Sequence, residues 1–138
     1  MLVLGTVAAN IVRVGFVAAL AAAFFYYRSA RTSSPRLLDW ARNSYHLASV
    51  ALIASAAVLL YLILSHQFQY KYVWEYSSTT LPLPLLMSTF YAGQEGSFML
   101  WALYTSVIGI VLMRYSSRRD YEAEAMAVYS LILSFLLL

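Results

Sequence analysis

Four apolar runs divide the chain. The first covers about residues 2–27 and is interrupted by Asn10 and Arg13, whereas the second (47–64) and third (97–113) carry no charge. A helix needs roughly 20 residues to cross about 30 Å of hydrocarbon, and the first three runs meet that need, the third only just. The fourth run, about 123–138, falls short of a full crossing. The pattern predicts an all-α integral membrane protein with four transmembrane helical segments, the last incomplete.

Composition agrees with a membrane protein. Hydrophobic residues make up 62% of the chain and charged residues 11%, whereas soluble domains carry about 25% charged residues. There are no cysteines, which excludes a disulfide framework, a zinc–thiolate site or an iron–sulfur cluster built on this chain. The net charge of +3 is concentrated in short clusters between the apolar runs. We therefore expect a lipid bilayer as partner and no nucleic acid.

The basic residues predict an orientation. They concentrate in the first and third connections, at Arg28, Arg31, Arg36, Arg42, Arg114, Arg118 and Arg119. The second connection contains only Lys71. Because Lys and Arg concentrate on the cytoplasmic side, we expect the amino terminus outside and residues 65–96 in an outer loop.

Aromatic residues alternate in this outer loop. Every second position from 68 to 76 is aromatic, namely Phe68, Tyr70, Tyr72, Trp74 and Tyr76. Strict alternation predicts an extended segment with two unlike faces. Two interpretations stay open: a belt of aromatic residues at the membrane interface, or a wall that packs against a flat ligand or a partner chain. The second makes Tyr72 and Trp74 candidate binding residues.

The segment before the third apolar run carries polar residues. Pro82 and Pro84 interrupt regular structure, and the apolar spacing from 85 to 91 predicts a short interfacial helix. Ala92-Gly93-Gln94-Glu95-Gly96-Ser97 follows. Ser97 is suited to cap the next helix, and Glu95 suits the positive end of its dipole. The alternative is a ligand-binding or partner-binding site with Gln94 and Glu95 exposed at the membrane rim.

The first apolar run has a polar face. Thr6, Asn10 and Arg13 are spaced by four and three residues and so share one side of a helix. A charge at the centre of a spanning helix costs about 2.5–3.5 kcal/mol on insertion scales. We therefore expect this face to turn inward, with Glu95 as the candidate partner of Arg13. The alternative is that Arg13 extends to the outer headgroups.

The outer loop resembles that of the CcmF family, the membrane components of the cytochrome c haem lyase. The similarity rests on Phe68-Gln-Tyr-Lys-Tyr-Val73, Leu81-Pro82, Gly93-Gln-Glu-Gly-Ser97 and Leu100-Trp101, which adds Trp101 to the binding candidates. The resemblance implies delivery and attachment of haem to apocytochrome c on the outer face, with haem bound in the complete protein. The implied partners are the remainder of the lyase, a haem chaperone and apocytochrome c.

The resemblance also implies a location and a larger unit. The expected location is the inner membrane of a bacterium, or of an organelle. Family members are much longer, so we expect this chain to be the amino-terminal portion of a longer multi-helix protein, or one product of a split version of it. Gln94 stands where the family commonly has His, and Tyr91-Ala92 where it has Trp-Gly. The family's tryptophan-rich, haem-accepting motif is not in this sequence.

The chain has two histidines. His46 and His66 are 20 residues apart, or about 30 Å along a helix, so they cannot ligate one iron within one molecule. His66 is either an interfacial hydrogen-bonding group or a haem ligand, since haem iron is commonly held by His. We expect no catalytic residue and no metal ligands here, and a scaffold and docking role. The alternative function is a small structural transmembrane subunit of a respiratory or transport complex.

Overall fold

The protein is helical throughout the described residues. The computed structural model describes residues 2–66, 71–76 and 78–137, without the side chains of Leu2, Lys71, Tyr72, Tyr76, Tyr91, Gln94 and Glu95. Its helices are α1 (Leu2–Thr32), α2 (Pro35–Leu64), α3 (Lys71–Tyr76), α4 (Leu83–Ser88), α5 (Gln94–Ser117) and α6 (Glu122–Leu137). A turn of 3₁₀ helix (Thr89–Tyr91) follows α4.

The four long helices form an antiparallel bundle. α1 packs along α2 and α6, and α5 packs against α2 and α6. The short turns at residues 33–34 and 118–121 lie at one end of the bundle, called here the turn end. The described residues of the long connection between α2 and α5 (65–66, 71–76 and 78–93) lie at the opposite end, called the loop end. The charged turns and the aromatic connection are therefore separated by the length of the bundle.

Three helices among the described residues are long and apolar enough to cross a membrane. These segments are Val3–Thr32, Pro35–Leu64 and Gly96–Ser117, which agrees with the first three predicted spans. Large apolar side chains cover the outside of the bundle, such as Val50 (62% exposed) and Phe135 (70% exposed). Hydrocarbon is the solvent that suits such a surface. α6, with 16 residues, packs beside these helices as the fourth member of the bundle.

Small residues allow α1 and α2 to approach closely. Ala19, Ala22 and Ala48 are fully buried, and a Cβ added at Gly15 would lie 3.3 Å from the Cβ of Ala51. In a bilayer, helix association depends on van der Waals contact between such closely approaching backbones. This stripe of small residues therefore determines which side of α1 faces the bundle.

Polar groups inside the bundle bond to helix carbonyls. The Tyr45 hydroxyl on α2 donates to the Ser106 carbonyl oxygen (3.0 Å), and the Tyr129 hydroxyl on α6 donates to the Thr105 carbonyl oxygen (2.8 Å). A polar group left unpaired in an apolar interior is costly, so these bonds satisfy the buried hydroxyl of Tyr45 and the partly buried hydroxyl of Tyr129. They also join three helices at one level of α5.

The aromatic segment is not extended where the structure describes it. Lys71–Tyr76 is α-helical, so the predicted extended conformation is wrong there; Phe68 and Tyr70 lie outside the described residues. A single extended segment would leave its backbone N–H and C=O groups without a neighbouring strand, whereas a helix pairs them locally. The alternation of aromatic residues therefore does not correspond to strand geometry over Lys71–Tyr76.

The predicted short helix after the aromatic segment is present as α4. It begins at Leu83 and accommodates Pro84 in its first turn, where no N–H is required. The third long helix starts three residues earlier than predicted, at Gln94, and is preceded by Gly93 with extended φ and ψ of −97° and 169°. The Ser97 amide donates to the Gly93 carbonyl (3.0 Å). Ser97 is therefore an internal residue of α5, and its predicted capping role is wrong.

We expect Gly109→Ala to destabilise the bundle by about 1–3 kcal/mol, the usual cost of overpacking. An added Cβ would lie 1.8 Å from the Tyr45 hydroxyl oxygen and 2.7 Å from Tyr129, so Tyr45 would have to leave its hydrogen bond. Thermal unfolding in detergent measures the effect. Gly15→Ala is the matched control, since its nearest neighbour is 3.3 Å away. An equal loss for both variants would contradict this assignment.

Candidate functional site

The loop end is closed by a second apolar cluster. Val73 of α3 and Leu86 of α4 are buried against Leu62 and Ile63 at the end of α2, and the partly buried Phe90 packs against the same group. The connection between α2 and α5 therefore folds back onto the bundle. Its described apolar residues thus form a cap over the end of α2.

Two tryptophans are exposed towards the loop end. Trp74 is 70% exposed although its neighbour Val73 is fully buried, and Trp101 is 67% exposed about two turns after the start of α5. Phe98, half exposed at 51%, lies three residues before Trp101 and so on the same side of α5. Exposed indole rings at such positions suit both a membrane interface and a binding surface.

Three predicted binding residues are placed only by their backbone. Tyr72 lies within α3, and Gln94 and Glu95 form the first two positions of α5. Their side chains lie outside the described part of the chain, so their predicted contact with a ligand or partner stays a prediction. The same holds for the predicted pairing of Glu95 with Arg13.

The polar face of α1 does not turn into the bundle. Thr6, Asn10 and Arg13 are all exposed, so the predicted inward orientation is wrong within this bundle. The stripe with Gly15 and Ala19 occupies the inward side of α1, because only small residues permit its close contact with α2. The guanidinium of Arg13 donates to the Asn10 side-chain oxygen at 3.1 Å.

The two histidines remain far apart in the fold. His46 is exposed on α2, and His66 follows the carboxyl end of α2, half-buried and with φ of 52°. Because about 30 Å of helix separates them, they cannot bind one iron. The described residues contain no group of three or more His, Asp or Glu side chains placed to hold a metal ion. This pair does not fit a haem with two axial histidines, and we assign no chemical step to a haem on this chain.

At the turn end, an ion pair joins the two halves of the bundle. Arg42 of α2 donates from Nε to Glu122 Oε1 (2.7 Å) and from its terminal nitrogen to Glu122 Oε2 (2.5 Å). The Tyr26 hydroxyl on α1 also donates to Glu122 Oε1, at 3.3 Å. The two parallel bonds make this a bidentate pair, the strongest arrangement available to arginine and a carboxylate.

The surroundings of the pair leave it partly open to water. The Glu122 side chain is 5% exposed and that of Arg42 35% exposed. The Ser117 hydroxyl also accepts from Arg42, at 3.2 Å, and a cavity of about 430 Å³ between the two turns borders the pair. Glu122 occupies the first turn of α6, where the helix dipole stabilises an anion. The arrangement can fix the α1–α2 turn against the α5–α6 turn.

Sequence reasoning missed this pair. It used Arg42 as an indicator of orientation and did not single out Glu122. A signal existed, since both connections were predicted on the same side of the membrane and the third contains acids beside its arginines. The identity of the partners depends on helix rotation, because α2 could equally have presented Asp39 or Arg36 to α6.

The fold and its two ends define a multi-pass helical membrane protein with a structured cap at one end and charged turns at the other. Sequence and fold comparisons then place it beside one family. The chain is 28% identical over 103 residues, 75% of its length, to the cytochrome c-type biogenesis protein CcmF of Haemophilus influenzae. It also superposes on the solved cytochrome c haem lyase CcmF with a TM-score of 0.75 over 94% of its length, at 27% identity.

These findings confirm the resemblance predicted from the loop residues: the chain is CcmF-like in sequence and in fold. It spans 16% of the length of the Haemophilus protein and 23% of the solved chain. No family model matches the chain. The similarity covers nearly the whole of this chain but a limited part of its relatives.

We expect Glu122→Gln to destabilise the bundle by about 2 kcal/mol. The substitution leaves Arg42 without its carboxylate, and the partial exposure of Arg42 moderates the larger cost of breaking a fully buried pair. Thermal unfolding in detergent measures the loss.

Glu124→Gln is the matched control, because Glu124 is an exposed acid in the same first turn of α6. It removes the same charge near the same helix dipole, and we expect a change within about 0.5 kcal/mol. If both variants lost the same stability, the helix dipole and not the ion pair would be responsible.

Proposed function

We propose that the chain is the amino-terminal portion of a membrane component of a cytochrome c haem lyase, which helps deliver and attach haem to apocytochrome c. The observation that carries this proposal is the fold match to the cytochrome c haem lyase CcmF over 94% of the chain. The independent sequence match to a cytochrome c-type biogenesis protein supports it. The proposed location is the inner membrane of a bacterium.

The proposed orientation places the loop end outside the cytoplasm. The turn end carries the arginine-rich segments, including Arg31 and Arg36 near the first turn and Arg118 and Arg119 in the second. Basic residues concentrate on the cytoplasmic side. α6 completes the bundle as a fourth transmembrane segment in this account. The cap then faces the compartment in which cytochrome c receives haem.

Within such a lyase, this portion acts as scaffold and docking surface. The cap packs on α2 through the buried Val73 and Leu86, and it presents Trp74, which is 70% exposed, next to Val73. Fixed, exposed aromatic residues lose little conformational entropy when they bind a partner, and tryptophan is frequent among residues that dominate binding energy. The proposed partners are the remainder of the lyase, a haem chaperone and apocytochrome c.

In this proposal, other parts of the complete protein carry out the covalent attachment of haem. We propose no catalytic role for residues of this chain, which has no cysteine. Trp101 and the polar residues Gln94 and Glu95 are proposed to extend the docking surface from the cap onto α5. Their substitution is expected to weaken complex formation without altering a chemical step.

We expect Trp74→Ala in the complete protein to lower the yield of haem-attached cytochrome c by about tenfold, the size expected for a residue central to an interface. The yield is measured by haem staining of cytochrome c from cells that express the variant. The parallel measurement is the amount of haem chaperone and apocytochrome c that co-purifies with the variant, which should fall with the yield.

Trp40→Ala is the matched control, because Trp40 is also exposed (56%) but lies near the turn end, on α2. It should leave the yield within about twofold of the unsubstituted protein. An equal loss of cytochrome c yield in the two variants would contradict the docking role of the cap. Normal cytochrome c in cells that lack the whole protein would overturn the proposed function itself.

A further inference from the structure

Arg13 lies at membrane depth on the outside of the bundle. At 1.5 Å per residue it is about 16 Å along α1 from Leu2 and about 28 Å from Thr32. Tyr26, which bonds to the ion pair at the turn end, lies about 20 Å away by the same measure. A hydrocarbon layer of about 30 Å that begins at Tyr26 therefore ends about 10 Å beyond Arg13.

The charge of Arg13 is not neutralised by the described residues. Its side chain is exposed and donates to the neutral Asn10 side chain. Of the acids whose side chains the structure describes, Asp39, Asp120, Glu122 and Glu124 lie at the turn end, more than a side-chain length away along the bundle, and Glu75 lies in α3 at the loop end. None of these acids forms an ion pair with Arg13. Charged residues within a membrane almost always pair with another group or line water. This face of α1 therefore requires an anionic neighbour from outside the described residues.

An apolar groove continues from Arg13 towards the turn end. It encloses about 410 Å³ between α1 and α2, and its walls include Val14, Val17, Ala18, Ala21, Ser44 and Leu47. Small side chains at the floor of such a groove allow a helix backbone to approach closely. The polar residues Thr6 and Asn10 continue the same side of α1 in the opposite direction.

From these features we infer that the Arg13 face binds another transmembrane helix, which carries an aspartate or glutamate at the depth of Arg13. The apolar part of that helix occupies the groove, and its carboxylate accepts hydrogen bonds from the guanidinium. A lipid phosphate fits less well, because the headgroup layer begins farther from Arg13 than an arginine side chain spans. The inference requires only a membrane, and it is independent of haem attachment.

Photo-cross-linking in native membranes tests the inference with the complete protein. A benzophenone amino acid replaces Val17, which is 62% exposed and lines the groove, or Val50, which is equally exposed and does not line it. We expect the Val17 product to contain a transmembrane peptide with an acidic residue. Its yield should fall about three- to tenfold in Arg13→Leu and be retained in Arg13→Lys, while the Val50 product stays unchanged.

Charge exchange completes the test. Arg13→Asp should abolish the Val17 product, and replacement of the partner's acid by arginine should restore it. Three cross-linking results at Val17 would overturn the inference: a product with lipid alone, with a helix that has no acid, or with the α5 peptide that contains Glu95. A cross-linking yield that is unchanged in Arg13→Leu would also overturn it. Cytochrome c yield is not the readout, so failure here is distinct from failure of the proposed function.

Discussion

The structure depends on one constraint: a hydrocarbon solvent offers no hydrogen bonds. Every backbone group that lies in it must be paired within the chain, which makes long helices the economical solution. Apolar side chains such as Val50 and Phe135 then face outward, and the hydrophobic effect cannot hold the helices together. Close contact of small residues at Gly15 and Ala51, with hydrogen bonds from tyrosines, performs that task instead.

The same constraint gives the two ends of the bundle different roles. At the turn end, the Arg42–Glu122 pair joins the two helical hairpins; Glu122 is buried, whereas Arg42 remains partly exposed, which lowers the desolvation cost on the arginine side. At the loop end, the buried Val73 fixes a short helix whose Trp74 is exposed. One end fixes the bundle, and the other presents a surface.

Much of this architecture is predictable from the sequence. The features that are not predictable have physical causes that can be identified. The long apolar runs predict the spanning helices, because the thickness of the hydrocarbon layer sets the length of such helices. The helical conformation of Lys71–Tyr76 was missed because an alternation of aromatic residues over so few positions is a weak signal. The need to pair backbone N–H and C=O groups outweighs it. The outward orientation of Arg13 was missed because the charge was weighed and the small-residue stripe of α1 was not. The choice of Glu122 as partner of Arg42 depends on helix rotation, which no local pattern encodes.

The central claim is that a membrane surrounds the bundle and separates its two ends, with the loop end outside. Because the chain has no cysteine, single cysteines at Thr79 in the exposed connection and at Ser33 in the first turn report on one site each. The measurement is labelling by a membrane-impermeant maleimide in intact spheroplasts that express an otherwise cysteine-free complete protein. The account predicts that Thr79→Cys is labelled at once and Ser33→Cys only after permeabilisation; the reverse order, or equal labelling of both, would contradict it.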